Sequence, residues 1–263
     1  MMVTVRTLLC GFLITLAFLN GVAPQIAVAQ NTTIRQINVF QIARSGNGQV
    51  LGVQYNDVGV ASVVDLFDSS SGNLIGTVDL SPYAPKVIAL SPTGDRLLFS
   101  DANSRLGVHD IATGVTTLIL EGGEASIDSI AWNPVSDVVA WTLGSTVDIY
   151  DTSTDSFVAV ISTSAERIVD LAWSPDGQRL ATSHFANDLF DPNVTNVTVK
   201  LWNIIPSENI LRIPILTIED RGGGSISWSP DGSKLALLED GGFAIYDILS
   251  KPSVENAGAG QGA

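Results

Sequence analysis

Carboxylates are the most abundant groups here that could do chemistry, with 27 Asp and Glu set against 13 Lys and Arg, two histidines and one cysteine. Asp128 and Asp170 lie in apolar segments that read as strands, and Glu124, Glu166 and Asp220 lie in the loops before such segments. A raised carboxylic acid facing an ionised partner across a sugar-sized cleft hydrolyses glycosides. A glycan-processing or other hydrolase is therefore one function these residues could serve. The other chemistries lack their residues. His109 and His184 sit in different contexts with no His-x-His or HExxH spacing, so no metal site is expected. No GxSxG elbow marks a nucleophile. Gly222-Gly223-Gly224 lacks the Lys-Ser/Thr sequel and helix of a phosphate cradle, and reads as a loop. No cofactor is implied.

The elements that would position any such group come from a repeat. Ile168 to Ala181 reads IVDLAWSPDGQRLA and Gly224 to Ala236 reads GSISWSPDGSKLA, with diverged copies from Val87 to Leu98 and from Ser129 to Ala140. The turn prolines Pro92, Pro134, Pro175 and Pro230 are 42, 41 and 55 residues apart, so one repeat carries an insertion. Ser45 to Leu51 supplies a fifth, earlier copy. A second element follows each turn: an apolar run closing on Phe67-Asp68, His109-Asp110, Tyr150-Asp151, Trp202-Asn203 or Tyr246-Asp247. Apolar and β-branched runs of strand length between Gly, Pro, Asp, Asn and Ser clusters make each repeat four short strands. In the fourth repeat these are Ile168 to Trp173, Arg179 to Ser183, Val197 to Trp202 and Ile210 to Leu216. No segment in the repeats keeps a helical apolar period.

The pattern LAWSPDGxxLA followed by VKLWN resembles the WD-repeat family, with Trp202-Asn203 where that family has Trp-Asp. The resemblance covers nearly all of the chain after Ala29. It implies an all-β propeller of about five four-stranded blades around a channel, acting as a binding scaffold rather than an enzyme. The family's opening Gly-His pair is absent, so its buried His to Asp arrangement cannot be carried over. Only five repeats are found where most of the family has seven. The fifth repeat lacks an outer strand of its own, and Thr33 to Val39 is expected to pair with the strand of Tyr246, closing the ring in the last blade. Trp132, Trp173 and Trp228 share one repeat position and are expected to pack between blades. Trp141 stands apart from that series, as core or as an exposed aromatic.

Met1 to Ala29 has the charged, apolar and small-residue regions of an export signal, with Arg6, Leu8 to Leu19 and Ala27-Val28-Ala29 in order. An uncleaved anchor is the alternative. Cleavage near Gln30 would leave the propeller at 30–250, a Gly/Ala-rich tail at 251–263, no cysteine and no membrane span. The location would be secreted or periplasmic and the source bacterial. Asn31, Asn193 and Asn196 form sequons that matter in a eukaryotic source. A net charge of −14 disfavours nucleic acid and anionic membranes, while it suits solubility and weak cation binding. Protein partners are expected on one face, through Tyr83, Lys86, Glu124, Arg167 and Arg221 in the loops leading into the first strand of each repeat. The insertion HFANDLFDPNVTN, with His184, Phe185, Phe190 and Asp191, is the other contact candidate or a tolerated surface loop.

Overall fold

A computed structural model describes residues 4–9, 12–17, 25–30, 33–56, 63–163, 166–187, 195–204, 210–211, 216–220, 222–239 and 242–248. The described residues hold only strands and turns, gathered into five sheets, one to each repeat. The fold is a five-bladed all-β propeller. The chain divides into two compact units, Met1–Gly123 and Glu124–Ala263.

In the first unit, β1 (Thr4–Leu9), β2 (Phe12–Ala17) and β3 (Gln25–Gln30) precede the four strands of blade one, β4 (Thr33–Arg44), β5 (Val50–Asn56), β6 (Val63–Asp68) and β7 (Leu74–Asp79). All seven form one antiparallel sheet in chain order. Blade two is β8 (Val87–Leu90), β9 (Arg96–Ser100), β10 (Leu106–Asp110) and β11 (Thr116–Leu120). Alternation along the strands sends Ala43, Val50, Val64, Leu66 and Val78 of blade one against Ile88, Leu90, Leu97 and Phe99 of blade two.

In the second unit, blade three is β12 (Ile130–Trp132), β13 (Val138–Leu143), β14 (Thr146–Asp151) and β15 (Ser156–Ser162). Blade four is β16 (Arg167–Trp173), β17 (Arg179–Asn187) and β18 (Thr195–Asn203), then β20 (Leu216–Asp220) after the two-residue β19 (Ile210–Leu211). Blade five is β21 (Gly222–Trp228), β22 (Lys234–Glu239) and β23 (Gly242–Asp247). One core joins blades three and four through Val147, Ile149, Ile161, Ile168, Leu171 and Trp202. Another joins blades four and five through Val197, Val199, Leu201, Ile226, Leu235 and Leu237.

The Ser-Pro-Asp-Gly turn works as its residues dictate. Gly177 donates its N–H to Ser174 O at 2.8 Å, Ser174 Oγ accepts from Arg179 N at 2.9 Å, and Gly177 takes φ +70°. A Cβ at Gly177 would also lie 2.4 Å from Asn133 Oδ1 of the preceding blade. The earliest repeat closes the same way, Gly48 N to Ser45 O at 2.9 Å, although it lacks the proline.

Three expectations need correcting. Thr33 to Val39 does not pair with the strand of Tyr246: it is the start of β4, between β3 and β5, because the neighbouring hairpin strand pairs at lower chain-closure cost. Among the described residues β23 pairs with β22 alone, and three strands of the last blade are seen. Blade four's outer strand is Leu216–Asp220 rather than Ile210 to Leu216, since Pro214 interrupts that run and has no N–H for a ladder. Gly222-Gly223-Gly224 opens β21 instead of forming a loop. A Cβ at Gly224 would stand 2.9 Å from Val169 Cγ2, and its φ is +84°. The stretch expected to be an export signal contributes β1 to β3, and the 251–263 tail lies outside the described residues.

Candidate functional site

The longest hairpin among the described residues, β17 with β18, brings several polar side chains together. The insertion lengthens β17 and β18, so that Phe185 pairs with Val197 and Asn187 with Thr195. Antiparallel pairing sets Phe185 opposite Arg167, the first residue of β16. The hairpin end, Arg167 and Glu166 therefore meet at one end of blade four.

Arg167 donates from Nε and Nη2 to Asp128 Oδ2, at 3.1 and 2.8 Å, tying the start of blade four to the loop before β12. Its side chain keeps 57% exposure, which makes this a screened surface pair. Beside it Lys200 Nζ donates to Glu166 Oε2. From there a chain of contacts runs into the core. His184, fully buried, has Nδ1 3.5 Å from Glu166 Oε2 and Nε2 2.7 Å from Thr182 Oγ1, and Trp202 Nε1 donates to the same hydroxyl at 2.8 Å. Thr182 Oγ1 thus lies between Trp202 Nε1 and His184 Nε2, and the Nδ1 side of His184 faces Glu166. Burial, and then the Lys200 charge, hold His184 down to about 3, so it is neutral at ordinary pH. A neutral imidazole sealed in this way orients its neighbours and does not meet a partner.

Asp170 holds three inner strands together. Its Oδ1 accepts from Ser129 Oγ at 2.9 Å and from Leu171 N at 2.9 Å, and its Oδ2 accepts from Ile226 N at 3.0 Å. Burial raises its pKa, while the three donors pull it back. In the other unit Gln41 occupies the same repeat position. It accepts from Ile88 N at 2.8 Å and donates to Ile88 O at 3.2 Å, stitching blade one to blade two. Counted four residues before the turn Ser or Asn, that position reads Gln41, Val87, Ser129, Asp170 and Ser225. Four of the five are polar, which is the signal that an overlay of the repeats offers at this position.

The remaining candidates fall in several places. Tyr83 is half-buried against Phe99, ring centroids 4.8 Å apart, with the Arg105 guanidinium 5.1 Å above its ring and Arg105 Nε held by Asp101 Oδ2 at 2.5 Å. Lys86 and Glu124 are exposed. Phe185 packs on the core between blades four and five, which leaves it half-covered. Phe190, Asp191 and Arg221 lie outside the described residues, as do residues 188–194 of the insertion. Trp132, Trp141 and Trp173 are buried, and Trp228 donates Nε1 to Ala172 O of blade four at 3.0 Å under the Arg179 guanidinium. Not among the expected contacts are Thr182, to which Trp202 donates from the next strand, Lys200, which reaches Glu166 ahead of β16, and Asp101, which closes its own turn onto Asn103 and Arg105.

Much of the acidity is spent inside turns. Asp68 Oδ1 accepts from the hydroxyls of Ser70 and Ser71 at 2.7 Å each, which hold its carboxyl down to about 2. Asp231 is held equally low by Ser229 and Ser233, and Asp110 is lowered by Thr113. Among the described residues no group of three or more His, Cys, Asp or Glu side chains is placed to hold a metal ion. No helix there is long and apolar enough to cross a membrane.

No family profile matches the chain. It is similar to the WD repeat-containing protein VIP3 of Arabidopsis thaliana, 26% identical over 133 residues, or 45% of this chain and 39% of that protein. The chain thus spans well under two thirds of that relative. Its structure is similar to the Kuenenia stuttgartiensis Hydrazine Synthase, with a TM-score of 0.60 and 20% identity over 86% of this chain and 68% of that one. At that identity the likeness concerns the fold alone. Together with the repeats, these likenesses support a WD40-like β-propeller.

Proposed function

We propose that this chain is an exported, non-catalytic scaffold that holds a protein partner through the loops leading into its inner strands, above all those at the end of blade four. The observation that carries this reading is the meeting there of exposed Arg167, Phe185 and the lengthened hairpin. Behind them His184 and Asp170 spend their polar capacity on the frame. The relative's WD repeats fit the same role. Export rests on the signal-like Met1 to Ala29, and amino-terminal sequencing of the secreted or periplasmic protein should begin near Gln30.

The test is a pull-down from the native envelope or secreted fraction, with the parent chain and with a variant whose residues 188–194 are replaced by a two-residue turn. We expect the shortened hairpin to lose partners that the parent captures while its melting temperature holds. Equal capture by both removes the hairpin from the interface. A hydrolase using Asp170 is the second reading, because burial raises that carboxyl as an acid catalyst needs. Glycan cleavage by the parent that Asp170→Asn abolishes, with the fold intact, would select it.

A further inference from the structure

The outer strands of the blades are the edges a propeller leaves open. Among the described residues β7, β11 and β20 each end their sheets, whereas β15 carries an added strand. Ile210–Leu211 runs parallel to it, Ile210 beside Val160 and Leu211 beside Ile161. This two-residue occupant comes from the connection between β18 and β20 of the next blade, and among the described residues it pairs with Val160 and Ile161 of the seven-residue strand Ser156–Ser162.

β15 itself is suited to a longer guest. Ser156 to Ser162 holds no charge and no proline, the residues that ordinarily guard an edge. Phe157, 58% exposed, stands near the start of that strand and is held edge-on to Tyr150 at 5.3 Å and tilted to Trp141 at 6.1 Å. An aromatic fixed in this way offers apolar area at little entropic cost. The seated segment also shows which chemistry the edge accepts: extended backbone, branched apolar residues, and a direction parallel to β15.

We propose that the outer edge of blade three is a strand-addition site for an extended, branched-apolar segment of a protein partner, held in cis by Ile210–Leu211. Main-chain hydrogen bonds to β15 supply the affinity and Phe157 the anchor. The site deepens the scaffold reading above and rests on it only for the source of the segment.

The probe is a fluorescein-labelled synthetic peptide with the sequence of Ser207 to Ile213, titrated by anisotropy. It is added to the parent chain and to Ile210→Pro with Leu211→Pro, which removes the N–H groups of the cis strand. A tethered strand competes at an effective concentration on the order of millimolar, so the variant should bind at least about tenfold tighter than the parent. Hydrogen exchange over Ser156–Ser162 should slow when the peptide is present. Should the proline pair unfold the chain, Ile210→Gly with Leu211→Gly takes its place. A folded variant with no gain in affinity, or protection away from β15, overturns the edge site and leaves the scaffold reading to its own pull-down. Uptake at β15 beside a pull-down that captures nothing keeps the edge and overturns the scaffold.

Discussion

Blades three and four are built on one repeat frame and fill it with opposite chemistry. In blade three Trp141 on the second strand meets Tyr150 on the third, ring centroids 6.2 Å apart, and Phe157 completes an aromatic cluster. Blade four has Thr182 in the place of Trp141 and Trp202 in the place of Tyr150. The indole has moved one strand outward, and a hydroxyl stands where blade three has a ring. His184 takes the place of Leu143, and Lys200 that of Asp148. The large side chain is retained while its polarity is rearranged, and the result is a polar path from the core to the hairpin end. Blade three turns back at once through Leu143, Gly144, Ser145 and Thr146, with Gly144 at φ +64°, whereas blade four continues into the insertion. The two blades show how a repeat can devote one copy to packing and another to presenting a loop.

If blade three is held by ring packing, Trp141→Ala should be the most damaging change. It empties a fully buried indole site and should cost about 3–5 kcal/mol in urea unfolding. A loss below about 1 kcal/mol would mean that the cluster collapses around the gap and packing is not what distinguishes blade three. Blade four should respond instead to a change of polarity at constant shape. Thr182→Val leaves Trp202 Nε1–H and His184 Nε2 without their shared hydroxyl and should cost about 1–3 kcal/mol. A neutral Thr182→Val would show that the polar chain only fills space.

Much of the frame was legible in the sequence, because turn chemistry and strand alternation are local. Ser174 to Gly177 announces its own turn, and the five turns fix where each blade begins. The burial of Trp132 and Trp173 followed from their recurrence. What the sequence hid depends on neighbours in other strands. Pro214 signalled that Ile210 to Leu216 could not be one strand, yet nothing local said that Ile210–Leu211 would cross to the edge of blade three. His184 looked like a loop residue because the insertion starts there, but the hairpin continues as paired strand through it and buries the ring. Thr182 is legible only as the counterpart of Trp141, since a lone threonine on a strand carries no signal until Trp202 is seen donating to it. The role of Asp170 was masked by its charge. A carboxylate in an inner strand suggests catalysis until its three donors are counted.

The histidine gives the comparison a pH axis. The folded state holds His184 at about 3 against an ordinary 6.5, so the fold resists its protonation. Stability from this group is present above pH 6.5 and is lost as pH falls from there towards 3. His184→Leu writes the residue of blade three into blade four. It should leave stability at pH 7 within about 1 kcal/mol of the parent, since one hydrogen bond is lost, and flatten the acid limb of the melting-temperature profile. An unchanged acid limb would assign that limb to other groups. Lys200→Met should raise the pKa of His184, followed by its imidazole NMR shifts, because the second cause of its depression is removed while burial remains.

The smallest effect should come from Asp148, which faces in blade three the position that Lys200 fills in blade four. Burial raises its carboxyl, and no opposing charge lowers it, whereas Lys200 has Glu166. The fold therefore favours the protonated acid, and ionisation costs stability as pH rises through the raised pKa. Asp148→Asn mimics the protonated form. It should stabilise the chain at pH 7 by less than about 1 kcal/mol, given that the group is only half-buried, and this gain should vanish near pH 3, where the parent carboxyl is itself protonated. Paired melts at the two pH values measure the difference. An equal gain at both would trace the effect to packing, and no gain at either would mean that a donor in blade three already offsets the burial, making the two blades alike at this position.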